Sequence, residues 1–378
     1  MREVILGSTS SPVFARNVTP PHLVLLGPGL AHLHVLSRLP REFTVTLVSE
    51  GPQQMYSGMF PGVLAQEYSA AEATIDLSAL CARTNATLEV SGARRVDADA
   101  HVVELRDGRF LPYDVLSINV GARLKGHDLP GVAAHAISVK PFADAALQLH
   151  RASAPLLVVG GGVAATEIAL VLRRRFAVRT ILVTGPHGVV NTRSTFARAL
   201  RAEVRDAGVK LIEGPRVISA EAGVAALDDG SSKAFGRLIW VTGPAAPAVL
   251  VDSALDKTAD GYLRVDATLR SRSHARIFGA GDCIAIDEHP DLEKAGVFSI
   301  RQAPTLLRNV TAALRGDAPV ARYAPHQHPL QIINVGSGRA LAAWRGLTFC
   351  GRIAHQLKRA IDRRWIRDYP RPAGDGDR

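Results

Sequence analysis

The stretch LVLLGPGLAHLH, beginning at Leu23, sets Gly27 and Gly29 between an apolar run and a segment of helical spacing. Glycine at the first position permits a tight turn, and at the second it lets backbone N–H groups close on a pyrophosphate at a helix N-terminus. His32 stands where a G-x-G-x-x-G loop carries its third glycine. Farther on, FTVTLVSE ends in Glu50, about twenty residues past the glycines, where a carboxylate accepts hydrogen bonds from ribose hydroxyls. On these residues alone the unit also describes an ordinary parallel strand pair with a surface glutamate.

A second stretch, APLLVVGGGVAATEIALVL, repeats the grammar with Gly160, Gly162 and the small Ala165, and its helix carries Glu167. Two such units imply two dinucleotide sites. The strand after the second loop ends in Thr184, Gly185 and Pro186, where an acid would select NAD over NADP, so the choice of nicotinamide stays open. Arg179, His187 and Arg193 can meet a 2′-phosphate, and each also reads as a solvated surface charge. A third stretch, ARIFGAGDCIAI, turns at Gly279 and Gly281 and sets Asp282 at a helix start, where backbone donors hold a carboxylate that can bind a polyol. His32 and His34 stand two apart on a helix and face different sides, so no metal site is expected.

These loops need parallel strands behind them. The pattern predicts an α/β fold with two Rossmann-like dinucleotide-binding domains. The chain of 378 residues is 47% hydrophobic, enough to bury more than one core. Its three cysteines, Cys81, Cys283 and Cys350, are isolated, which implies neither a disulfide framework nor zinc and points to a reducing, cytoplasmic setting. The N-terminus lacks a sustained apolar segment, and no stretch reaches the roughly eighteen apolar residues of a spanning helix. A formal charge of +10 favours acidic partners. Nucleic acid is not expected, because no zinc finger or aromatic RNA-binding signature accompanies the charge.

The G-x-G-D pattern at Asp282 resembles the second flavin contact of two-dinucleotide-binding flavoproteins, in which the aspartate holds the ribityl chain of FAD. YDVLSINVGA and RLIWVTGPAAP are similar to that family's crossover segments; the first keeps Gly121 but departs from A-T-G at Asn119 and Val120, and the second keeps Thr242 and Gly243. QMYSGMFPGVLAQEY and KAGVFSIRQAPTLLRNVTAALRG, with His32, resemble the flavoprotein module that some bacteria fuse to selenophosphate synthetase, a branch of the type II NADH dehydrogenase family. Leu30 and Leu33 depart from the branch pattern.

The resemblance implies FAD and NAD(P)H as cofactors and makes His32 a family trait. It sets Tyr56, Ser57, Gly58 and Met59 against the flavin, Glu167 near the nicotinamide, and Gln302 beside the flavin as an acceptor-site residue. An FAD domain over 21–131 is then interrupted by an NAD(P)H domain over 132–247 and resumes over 248–322. A C-terminal module follows over 323–378, and residues 1–20 read as a flexible lead. No redox-active cysteine pair is present, so neither the dithiol route of glutathione-type reductases nor the sulfur relay of a sulfide:quinone oxidoreductase is expected. The acceptor is then a quinone, another small organic oxidant or O2. A soluble flavoenzyme acting on a biosynthetic small molecule and a low-turnover flavin sensor are the alternatives.

In GRIAHQLKRAIDRRWIRDY, Ile353, Leu357, Ile361 and Trp365 recur every four residues, while Arg352, Lys358, Arg359, Arg363 and Arg364 crowd the other faces. A basic amphipathic helix of this kind suits peripheral contact with the inner face of an anionic membrane. The same row can instead pack on the flavin domain or across a homodimer. Because the cofactor motifs lie upstream, cutting the chain from Gly351 onward is expected to leave both nucleotide sites intact.

Overall fold

A computed structural model describes residues 19–150, 155–190, 194–326 and 329–372. Arg193 and nearly all of the N-terminal lead lie outside the described residues. The apolar run of the first loop forms the central strand His22–Leu26 of a five-stranded parallel sheet. Its strand order is Ile277–Gly279, Val115–Ile118, His22–Leu26, Thr44–Ser49 and Thr87–Val90. The central strands are buried throughout, and this is why they read as unbroken apolar runs rather than alternating ones.

The second loop starts from Leu156–Val159, the middle strand of another five-stranded parallel sheet. There the order is Ala136–Ser138, Arg237–Trp240, Leu156–Val159, Thr180–Gly185 and Lys210–Glu213. The chain thus leaves the first sheet after Val115–Ile118, builds the second, and returns to the first at Ile277–Gly279. The outgoing and returning crossovers pair with each other, Arg123 opposite Ala245 and Leu124 opposite Pro244.

The last part of the chain is an antiparallel sheet, Gln331–Gly336, Arg339–Trp344 and Leu347–Gly351, followed by the helix Arg352–Ile366. This sheet packs on the second-loop helix Val163–Phe176. Among the described residues no helix is long and apolar enough to cross a membrane, and no group of side chains is arranged to hold a metal ion.

Candidate functional site

The first loop turns at Gly27, whose φ of +92° favours glycine. A Cβ built on Gly29 would lie 2.1 Å from Asn119 Oδ1, so the turn is closed from behind by a side chain. That side chain is buried and makes three contacts: Oδ1 accepts from the Ala31 N–H at 3.1 Å and the His32 N–H at 3.4 Å, and Nδ2 donates to Ala280 O at 2.6 Å. One residue thus ties the first loop to the Gly281–Asp282 turn.

His32 is fully buried beneath the same loop. Its Nδ1 is 2.7 Å from Gly27 O and its Nε2 is 2.8 Å from Ser117 Oγ. A carbonyl only accepts, so Nδ1 carries the proton and Nε2 accepts from the Ser117 hydroxyl. Burial pulls the imidazole down to about 4, which keeps it neutral. In place of a glycine that allows close helix–strand packing, this chain spends a hydrogen-bonded imidazole to lock the turn.

Gln302 is likewise buried, its Oε1 accepting the Gly281 N–H at 2.6 Å. Asp282 is half-buried and lies 3.8 Å from Lys140 Nζ. Glu50 follows its strand and is exposed, 2.8 Å from Arg106 Nη1. A Cβ on Gly296 would lie 3.4 Å from Leu30 Cδ1 and 3.5 Å from Ser57 Oγ, so the starts of helices Leu30–Arg38 and Gly296–Leu314 meet the Tyr56–Ser57 loop. Neither helix, nor Val163–Phe176, has a capping side chain at its N-cap residue or an acidic residue in its first turn. Helix N-termini with no acid of their own in the first turn fit the phosphates of bound dinucleotides.

At the second loop Gly160 has φ +148°, and its Cβ would lie 2.1 Å from Val241 O, a close approach of backbones that only glycine allows. Gly162 has open space where a side chain would stand, as do Gly121 and Gly243 at the two crossovers. Ala165 is buried against Gly160.

Glu167 does not face an opening. It is buried under the C-terminal sheet, its Oε1 accepting the Asn334 N–H at 2.5 Å. Burial raises its carboxyl to about 7, against the pull of Lys358. Beside it, Glu67 Oε2 accepts from Asn334 Nδ2 at 2.8 Å and lies 2.8 Å from His355 Nε2, close enough for an ion pair though not aligned as a hydrogen bond. Lys358 Nζ is 2.9 Å from Asp362 Oδ2 and donates to Gly58 O at 2.7 Å. Trp365 stacks on Tyr56 with ring centroids 4.1 Å apart, and Met59 is buried next to them in sequence.

The C-terminal helix therefore sits with its polar face inward. His355 and Asp362 are buried, whereas Ile353, Leu357 and Ile361 are 72%, 45% and 43% exposed. Of the apolar row only Trp365 packs on the flavin-type loop. Lys358, read from sequence as a surface cation, is one of the inward groups, because its partners Asp362 and Gly58 O lie beneath it. This bears on the expectation that a cut from Gly351 onward leaves both nucleotide sites intact, since the cut removes Lys358 and Trp365, which contact the Tyr56–Met59 loop.

Ser117 and Asn334 were not singled out from sequence, and Asn119 and Lys358 were named there without the contacts that they make. A signal existed for Ser117 and Asn119, polar side chains within and just after an otherwise apolar buried strand, VLSI followed by Asn119. All three cysteines are free, and Cys283 is buried with its thiol pushed up to about 12.

Curated NADH dehydrogenase-like proteins of Mycobacterium tuberculosis are 26% identical over 220 residues, 51% of this chain and 55% of theirs, so the match spans about half their length. The sulfide-quinone reductase of Aquifex aeolicus is 22% identical over 401 residues, covering 91% of this chain and 90% of that protein. The crystal structure of the sulfide:quinone oxidoreductase from that organism shares the fold, with a TM-score of 0.74 at 20% identity over 92% of this chain and 91% of its own. An external alternative NAD(P)H-ubiquinone oxidoreductase of Arabidopsis thaliana mitochondria is 24% identical over 352 residues, 79% of this chain and 59% of that one. Residues 21–311 match the model of the pyridine nucleotide-disulphide oxidoreductases, and with both nucleotide folds in place the chain belongs to that family, whose members bind FAD and NAD(P)H.

Proposed function

We propose that the protein is an FAD-dependent NAD(P)H oxidoreductase that delivers electrons to a quinone at a membrane surface. The observation that carries the acceptor is the inverted seating of the C-terminal helix, which leaves Ile353, Leu357 and Ile361 in solvent directly above the loop that Lys358 and Trp365 hold. The same module exposes Trp344, Leu347 and Phe349. Exposed apolar side chains with Arg352 and Arg364 beside them suit an anionic bilayer. Names of relatives that reduce quinones support the same reading.

In this reading the FAD unit spans 21–131 and 248–322, the NAD(P)H unit 132–247, and the C-terminal module lies against the inner face of the membrane. His32, the loop from Tyr56 to Met59 and the segment around Gln302 favour the branch related to selenophosphate synthetase fusions. Bound FAD supplies hydride acceptance from the nicotinamide and onward electron transfer. Gly27, Gly29, Gly281 and Asp282 bind it; His32, Asn119 and Gln302 hold those turns in place. Tyr56 and Met59 exclude water from the loop that faces it.

The triple substitution Ile353→Gln, Leu357→Gln, Ile361→Gln is expected to keep bound flavin and its bleaching by NAD(P)H, since those side chains touch neither site. Each apolar side chain contributes about 1.5 kcal/mol or more when buried in lipid, so binding to phosphatidylglycerol vesicles should fall roughly 1,000-fold. Turnover with a long-tailed quinone should drop while a short water-soluble quinone is spared. Vesicle binding equal to that of the parent protein would remove the membrane from this account and favour a soluble acceptor.

A further inference from the structure

We propose that Arg216 receives the adenosine 2′-phosphate of NADPH, which makes this chain selective for the phosphorylated nicotinamide nucleotide. The inference rests on the reading of the second glycine loop as the NAD(P)H site. In an open parallel sheet the ligand lies outside the carboxyl ends of the strands, and the ribose of a dinucleotide reaches the end of the strand that follows the glycine loop. Here that strand, Thr180–Gly185, ends without a carboxylate. Thr184 is buried, and its Oγ1 is turned to the Gly185 and Ile212 carbonyls, 3.4 Å from each. The following loop is folded back on the glycines: the Val190 N–H donates to Gly161 O at 2.7 Å.

A carboxylate does stand on the neighbouring strand Lys210–Glu213, but it is already engaged. Glu213 Oε1 accepts the Val189 N–H at 2.9 Å and pairs with Arg201 at 3.3 Å. It holds the loop rather than offering itself to a ribose hydroxyl. Arg216 leaves the same edge just beyond Glu213. Its stem lies across the strand end, with Cγ 3.6 Å from where a Cβ of Gly185 would stand. The Arg216 N–H donates to Asp228 Oδ1 at 2.9 Å, which fixes the backbone, and the side chain is exposed. Among the described residues no carboxylate pairs with its guanidinium, unlike that of Arg201. His187, also exposed, is carried by the adjoining loop.

A guanidinium free of an internal partner, over a strand end that lacks the ribose-binding acid, has the charge and fork geometry for a phosphate dianion. The carboxylate beside it, Glu213, has its Oε1 taken by the Val189 N–H and Arg201, and the strand that follows the glycine loop brings none of its own. The ligand chemistry is a phosphomonoester on the adenosine ribose, and we assign it to the 2′ rather than the 3′ oxygen because the site lies at the nicotinamide-nucleotide loop.

Calorimetric titration of the flavin-loaded protein with 2′,5′-ADP, 3′,5′-ADP and ADP tests this without turnover. The parent protein should bind 2′,5′-ADP roughly tenfold or more tightly than ADP, because charge-assisted hydrogen bonds are worth about 1.5–3 kcal/mol. Arg216→Ala should erase that advantage while leaving the affinity for ADP unchanged, and Arg216→Lys should keep part of it. Equal affinities for 2′,5′-ADP and ADP in the parent protein would overturn the inference and leave the nucleotide site standing. So would 3′,5′-ADP binding as tightly as 2′,5′-ADP, or an Arg216→Ala protein that keeps the full 2′-phosphate advantage. Failure of all three nucleotides to bind would overturn both the inference and the site on which it rests.

Discussion

Replacing Lys358 with methionine is expected to destabilise the protein by about 3–5 kcal/mol, the cost of leaving one partner of a buried ion pair without the other. The Lys358 and Asp362 side chains are only 12% and 5% exposed, and the ammonium is also the donor that holds Gly58 O. Methionine keeps the stem but leaves the Asp362 carboxylate buried near Glu67. Burial already raises the Asp362 carboxyl above its ordinary value, and Lys358 opposes that rise. Without the lysine the folded-state value climbs further above the unfolded one. The folded variant then holds a proton that the unfolded chain releases, so its stability falls as pH rises through the folded value and recovers as pH drops below it. Urea unfolding at about pH 5.5 and about pH 8 checks the sign, since the gap to the parent protein should be wider at the higher pH. A gap that widens towards acid, or none at either pH, would show that the pair is not buried as described. The Tyr56–Met59 loop should loosen in the same variant, seen as a changed flavin spectrum.

The second large effect is expected at Asn119. Alanine there strips the acceptor from two buried N–H groups, Ala31 and His32, and the donor from Ala280 O. Unsatisfied buried groups cost about 1–3 kcal/mol each, and relaxation of the loop will recover part of it, so a loss of about 3 kcal/mol is expected. Because the same contacts join the Gly27–Gly29 turn to the Gly281–Asp282 turn, the variant should purify with most of its flavin missing. The ratio of flavin to protein and the thermal midpoint report the two effects separately. Full flavin occupancy with an unchanged midpoint would mean that Asn119 is a bystander.

Much of this architecture was legible in the chain itself. Both parallel units could be read because a buried central strand, a glycine turn and a helix follow one another within a short stretch, and each part has its own local pattern. Glu50 stands out by its distance from the first glycines, and Asp282 by the G-x-G-D pattern that it closes. Asn119 was visible only as a departure from a crossover motif, because its role depends on Ala31 and Ala280, which lie far from it in sequence. The C-terminal helix shows the same limit. Its four-residue apolar row was plain, but nothing local revealed that Glu67, Glu167 and Gly58 would wait beneath it and turn its polar face inward. Arg216 escaped notice because the residue that answers a missing acid on one strand stands in the loop after another.

The claim that both nucleotide folds serve a bound flavin and its reductant is tested most directly by the chromophore. Purified protein, denatured and its released pigment identified by chromatography and mass, is expected to yield FAD close to equimolar with the chain, and the intact protein should bleach when NADPH is added without oxygen. Release of FMN, or of no flavin from a folded protein that also fails to take up added FAD, would contradict the account at its root.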